Sequence, residues 1–246
     1  MNVLVGCERS GIVRDAFIAL GHNATSCDLA PSNKEGPHVV CDVLTLIDYP
    51  YWDLLICHPD CTYVSGSGNH WCYRGKRKVR DGVLVGDERI AAKIDAINFA
   101  WKLYSCRIPK ICLENPIGIL SSAIRKPDQI IHPWQFGENA SKATCLWLKG
   151  LPLLQPTNVL PGGRLARRAN QTPSGQNKLG PSEERAMLRA ETYKGIADAM
   201  GLQWGGVEES SQMSKEPVGV REANRVGIPS PSCNPCWRAK RRKSKS

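Results

Sequence analysis

At 246 residues the chain has the length of one domain, or of one domain with a small lobe and tails. Hydrophobic residues make up 41% and charged residues 23%, an ordinary globular mix that excludes a disordered, collagen-like or fibrous chain. The 33 Lys and Arg against 23 Asp and Glu leave a net charge of +10, which points to a polyanionic partner. Part of that excess is a basic C-terminal end, with Arg238, Lys240, Arg241, Arg242, Lys243 and Lys245 close together, but the body stays basic without it. No window approaches the roughly 18 consecutive apolar residues of a membrane helix. The N-terminus, Met-Asn-Val-Leu-Val-Gly, lacks the basic region of a signal peptide. A cytoplasmic, soluble protein with no membrane association is expected. In that compartment most of the eleven cysteines read as free thiols or small buried hydrophobes. The CxxC of Cys233 and Cys236 has no nearby partners to complete a zinc site.

In chain order, residues 2 to 6 read as a short buried strand. Ser10 is positioned to cap a helix through Ile12, Val13, Phe17, Ile18 and Leu20, with Gly21 as its stop. Ala24 to Cys27 reads as a second strand leading into Asp28, Val39 to Cys41 as a third leading into Asp42, and Asp53 to Cys57 as a fourth. Residues 58 to 82 read as a long polar, basic loop. Ile90 to Tyr104 has helical spacing, with Ile90, Ile94, Ile97, Ala100 and Trp101 expected on the buried face. Lys110 to Leu113 reads as the next strand, ending at Glu114-Asn115-Pro116, and Lys142 to Leu148 as another. Glu183 to Met200 reads as a helix, and the chain beyond Gly205 as disordered. Strands alternating with helices predict an α/β fold with a mostly parallel sheet covered on both faces.

In such a sheet ligands bind beyond the carboxyl ends of the strands. The turn Gly6-Cys7-Glu8-Arg9-Ser10-Gly11 lies there. It is neither a Walker loop, because Ile12-Val13 stand where Lys-Ser/Thr is required, nor a GxGxxG dinucleotide turn. Asp28 follows about 20 residues later, where an acid binds ribose hydroxyls, and Asp42 could accept from an adenine amino group. A bare Asp after a strand also serves as a turn residue or helix cap. Together the three features point to an adenosine-containing ligand. His58-Pro59-Asp60-Cys61 places a potential thiolate nucleophile at the same rim. Beyond it Arg74, Lys76, Arg77, Lys78 and Arg80, with Trp71 and Tyr73, form a basic and aromatic cluster suited to phosphates and bases. Glu114, again at a strand end, can hydrogen-bond or protonate a ring nitrogen. His58, Cys61, His70 and Cys72 offer zinc-type ligands, at a spacing that matches no common finger. The zinc deaminases are excluded because no His-x-Glu occurs.

This ordered set resembles the DNA cytosine-5 methyltransferases, most closely their small phage-type members. The glycine turn (Gly6, Cys7, Glu8, Ser10, Gly11) looks like the first S-adenosylmethionine motif, Cys27-Asp28-Leu29 like the second, and Asp42 sits at the third. Pro59-Asp60-Cys61 is similar to the motif bearing the catalytic cysteine, with Asp60 where the family carries proline. Glu114-Asn115-Pro116 is similar to the Glu-Asn-Val motif, and Thr192 to Ala197 to the late motif beside the cofactor. The resemblance implies a Rossmann-like S-adenosylmethionine-dependent methyltransferase fold over residues 1 to 204. Residues 117 to 182 would be a small target-recognition region, and residues 205 to 246 a basic tail. It implies Cys61 and Glu114 as catalytic residues, His58 and Pro59 beside the cofactor, DNA as substrate and a monomer. No Gln-x-Arg-x-Arg segment is evident; Lys142, Thr144 or the Arg164, Arg167, Arg168 group could replace it.

Overall fold

The computed structural model describes residues 1–73, 82–173 and 191–206. Residues Met1–Val207 form one compact unit. A seven-stranded sheet carries it: β1 (Asn2–Gly6), β2 (Asn23–Asp28), β3 (His38–Val40), β4 (Leu54–Cys57), β5 (Lys110–Pro116), β6 (Gln129–Ile131) and β7 (Thr144–Lys149). The strand order is β3-β2-β1-β4-β5-β7-β6. Pairing is parallel from β3 to β5, while β7 runs antiparallel to both β5 and β6. Among the described residues the α-helices are α1 (Ile12–Ile18), α2 (Gly86–Ser105), α3 (Leu120–Ala123) and α4 (Lys194–Gly205).

The central strands are apolar throughout because both of their faces are covered. Val3, Val5, Leu54 and Ile56 face one core, which α1 supplies through Val13 and Phe17, and α4 through Ile196, Met200 and Trp204. Leu4, Leu55, Cys57 and Leu113 face the other, against Ala100 and Leu103 of α2. Each fully buried side chain of this size contributes about 1.5–3 kcal/mol. The result is a Rossmann-like α/β fold, a mostly parallel sheet with helices on both faces, as the sequence predicts. Among the described residues, no helix is long and apolar enough to cross a membrane.

Several local expectations are corrected. Only part of the expected α2 face meets the core: Ile97 packs against it, whereas Ile90, Ile94 and Trp101 are 41%, 53% and 50% exposed. Ala100 is buried as expected, and Arg89 and Leu103 are buried beside it, since the small Ala100 lets the helix approach the sheet more closely than an isoleucine would. β5 runs past Leu113 to Pro116, because β7 pairs with it as far as Thr144. Within the expected loop after residue 58, Gly66–Cys72 forms a 3-10 helix. The last helix begins at Lys194 rather than Glu183; residues 183 to 190 lie outside the described residues, as do the basic cluster Arg74, Lys76, Arg77, Lys78 and Arg80 and the C-terminal tail.

Candidate active site

The strand order reverses between β1 and β4, and such a switch point opens a crevice at the carboxyl ends of the strands. A cleft lies there, lined by Cys7, Glu8, Arg9, Ser10, Asp28, Asn33, His58, Glu191 and Thr192. Three successive strand ends and the segment before α4 therefore converge on one space.

The turn after β1 is held from within. The buried Glu8 carboxylate accepts from Val13 N at 2.7 Å, Arg14 N at 3.3 Å and Ser10 Oγ at 3.1 Å. Glu8, rather than Ser10, is thus the principal cap of α1; Ser10 Oγ adds only a 3.3 Å bond from Ile12 N. A carboxylate suits this place, because the first N–H groups of a helix are unpaired and carry partial positive charge. Cys7 and Gly11 adopt left-handed φ angles of 59° and 68° that turn the chain into the helix. Cys7 is half-buried, and desolvation, followed by Asp28, Asp42 and Asp60, raises its thiol far above the ordinary range. Gly6 is needed for packing, since a Cβ there would meet Val43 Cγ2 at 2.7 Å.

Arg9 ties this turn to the segment after β2, donating to Pro31 O at 3.3 Å and Asn33 Oδ1 at 3.4 Å. Beneath it Arg14, fully buried, donates to Ser26 Oγ at 3.2 Å and Glu35 O at 2.7 Å. Asp28 Oδ1 accepts from Ala30 N at 3.0 Å on the cleft wall. Asp42 caps a 3-10 turn through Leu44 N at 2.9 Å and, with Gly6, Gly11 and Pro59, is not among the lining residues.

The motifs ending β4 and β5 are joined. His58 Nδ1 lies 2.9 Å from Glu114 Oε2, and both side chains are largely buried. Asn115 Nδ2 donates to Pro59 O at 2.7 Å. Burial raises the Glu114 carboxyl, but the hydrogen bond from His58, the Lys142 charge and a hydrogen bond from Thr144 outweigh it and hold it below the usual range. Lys142 and Thr144, on and just before β7, thus reach the β5 acid although they are remote in sequence. A depressed carboxyl contributes stability above its unfolded value, about 4.3, and loses it as pH falls through the folded value. His58→Ala should therefore move Glu114 upward in a carboxyl ¹³C titration. The part of the acid-induced loss of stability that Glu114 contributes, which begins near the unfolded value, should be smaller in that variant than in the wild type. An unmoved Glu114 would show that His58 contributes nothing to it.

Cys61 is exposed at the start of a tight turn, its carbonyl accepting from Ser65 N at 3.0 Å. Asp60 shapes that turn: its Oδ1 accepts from Thr62 N at 2.9 Å and Thr62 Oγ1 at 2.7 Å. His58, Cys61, His70 and Cys72 form no metal cluster; among the described residues no three His, Cys, Asp or Glu side chains are grouped to hold an ion. Arg9, Asn33 and Glu191 were not legible as site residues, because each comes to the cleft from a loop or turn that leaves no spacing pattern.

No protein-family model matches the chain, and no curated protein matches it. Among solved structures it is similar to a protein named as a DNA modification methyltransferase encoded within a prophage of E. coli. That match has 14% identity and a TM-score of 0.39, over 66% of this chain and 53% of the other. It is also similar to the E260A/E261A/K263A mutant of Spodoptera frugiperda DNMT2, with 12% identity and a TM-score of 0.33, over 66% and 56% of the two chains. The chain therefore matches little more than half the length of these structures.

Proposed function

We propose that this protein methylates carbon 5 of cytosine in DNA, using S-adenosylmethionine and a covalent bond to Cys61. The observation that carries this reading is the joining of three groups at one rim. The cleft of β1, β2 and β4 is bordered by His58; His58 grips Glu114; and Asn115, next to Glu114, holds the main chain two residues before Cys61.

The cleft chemistry fits the cofactor. Asp28 commits one carboxylate oxygen to Ala30 N, which leaves the other to accept from a ribose diol. The turn from Cys7 to Ser10 forms the neighbouring wall. S-adenosylmethionine supplies, when bound, an electrophilic methyl group. The protein's own task is to make carbon 5 nucleophilic. The Cys61 thiolate bonds to carbon 6, the C5–C6 π pair moves to C4–C5, and the C4–N3 π pair becomes a lone pair that takes a proton from water at N3. Glu114, held as an anion, faces that N3–H and stabilises the charge it brings. Once carbon 5 carries the methyl group, water takes its proton, the C5–H pair forms the C5–C6 double bond as Cys61 leaves as thiolate with the C6–S pair, and loss of the N3 proton restores the ring. A stacked base cannot reach Cys61, so it must leave the duplex at a cost of a few kcal/mol. The basic residues Arg74, Lys76, Arg77, Lys78 and Arg80 are suited to offset this cost through phosphate contacts.

The direct test is mass spectrometry of nucleosides from DNA incubated with the protein and S-adenosylmethionine. 5-Methylcytosine is expected; N4-methylcytosine or N6-methyladenine would indicate amino-group chemistry, and binding without methylation an inactive relative. Asp28→Ala should weaken cofactor binding by about 1.5–3 kcal/mol, the value of a hydrogen bond to a charged group. Calorimetry showing unchanged affinity would remove Asp28 from the site.

A further inference from the structure

α2 carries a buried cation for which the chemistry above has no use. Arg89 is only 4% exposed, and its partners are main-chain carbonyls: Thr62 O at 2.9 Å, Gly68 O at 3.1 Å and Leu84 O at 3.4 Å. Its guanidinium also stands over the Tyr63 ring, 5.1 Å from the centroid. Among the described residues, no carboxylate lies within ion-pair distance of it. A buried charge compensated by carbonyls alone is a costly way to fill space, and a fork of fixed donors is what holding several carbonyls at once requires.

The carbonyls identify what is held. Thr62 directly follows Cys61, and its three polar main-chain and side-chain groups are all engaged: N and Oγ1 by Asp60, O by Arg89. Gly68 is matched to the clamp, since a Cβ there would lie 2.4 Å from Arg89 Nη2. The other side of the loop is fixed by the segment after β5. Ile119 N donates to Val64 O at 2.9 Å, Gly66 N to Ile117 O at 3.1 Å, and a Cβ at Gly118 would lie 2.0 Å from Val64 O. The nucleophile's turn is thus held between α2 and the strand that bears Glu114.

We infer that Arg89 is a positioning residue for Cys61: it fixes the turn that carries the nucleophile relative to Glu114, while contributing nothing to the cofactor cleft. The inference rests on the cytosine-5 reading for its kinetic consequence, but not for its structural one.

The experiment uses the full chain with Arg89→Lys, which keeps the charge and loses the fork, and Gly68→Ala, which keeps the arginine and displaces it. Both variants should show faster amide hydrogen exchange confined to residues 62 to 68. Both should bind S-adenosylmethionine and DNA within about twofold of the wild type. Both should form the Cys61 adduct with 5-fluorocytosine DNA about 10²-fold more slowly in a single turnover, the effect expected of a displacement near 1 Å. Arg89→Ala should regain part of this rate when guanidinium ion is added at millimolar concentration. Wild-type rates in both variants would overturn the inference, as would a loss of cofactor affinity in step with the rate, which would indicate general damage. If the wild type forms no adduct, the cytosine-5 reading fails instead. Exchange then decides alone: unchanged exchange at residues 62 to 68 overturns the clamp, and local acceleration upholds it.

Discussion

Cys61→Ser should abolish both methylation of cytosine and covalent capture of 5-fluorocytosine DNA, a loss of about 10³-fold or more. In the wild type, fluorine replaces the proton that must leave carbon 5, so elimination stops and the adduct should survive denaturing electrophoresis. A serine hydroxyl is far harder to ionise at neutral pH than a thiol, so the substitution removes the nucleophile while changing one atom. The exposure of Cys61 matters here. Among the described residues the other cysteines are buried or partly so, and burial pushes the Cys145 thiol up to about 11. Glu114→Gln should fold normally and react about 10²-fold more slowly, having lost the anion that faces the protonated ring. Persistence of the adduct in Cys61→Ser would assign the nucleophile to another residue. Methylation of cytosine with no adduct in the wild type would remove covalent catalysis altogether.

Glu8→Ala should lower stability by about 3 kcal/mol, measured by denaturant unfolding. The change strands Val13 N, Arg14 N and Ser10 Oγ, which share the carboxylate at a buried helix end, and each abandoned buried donor costs about 1–3 kcal/mol. A helix cap alone is worth up to about 2 kcal/mol. Glu8→Gln, which keeps one acceptor oxygen, should recover part of the loss. Because the same residue lines the cleft, the alanine variant should also bind S-adenosylmethionine more weakly. A variant as stable as the wild type would show that water replaces the carboxylate at no cost.

β1, β4 and β5 were legible in the sequence because a strand covered on both faces reads as an unbroken apolar run, and Val3-Leu4-Val5 and Leu54-Leu55-Ile56-Cys57 are such runs. β6 was not, since Gln129–Ile131 is short and begins with a polar residue that serves the loop after β7: Gln129 Nε2 donates to Leu154 O at 2.7 Å. The helical period of α2 placed Ile97 and Ala100 against the core but also Ile90, Ile94 and Trp101, which are exposed, because periodicity registers large side chains and the sheet accepts a small one. At the site, strand ends singled out Asp28, His58, Cys61 and Glu114, whose positions follow from topology alone. Arg14 and Arg89 stayed hidden because an arginine on a helix ordinarily reads as solvated. The glycines that accommodate them, Gly11 and Gly36 beside Arg14 and Gly68 beside Arg89, record their burial.

The reversed direction of β7 makes the acid's surroundings a matter of registry. Thr144 lies opposite Pro116 and Leu146 opposite Glu114, so the residues that temper the carboxylate arrive from the neighbouring antiparallel strand. Sliding β7 by one residue would turn its whole row of side chains to the opposite face. Length changes between Ile131 and Thr144 would leave that alignment intact, whereas a single insertion within Thr144–Lys149 would withdraw the threonine from Glu114. The outer hairpin is therefore a ruler for the chemistry at the sheet's centre. A lesion in it should be detected first in the titration of an acid that it does not adjoin in sequence.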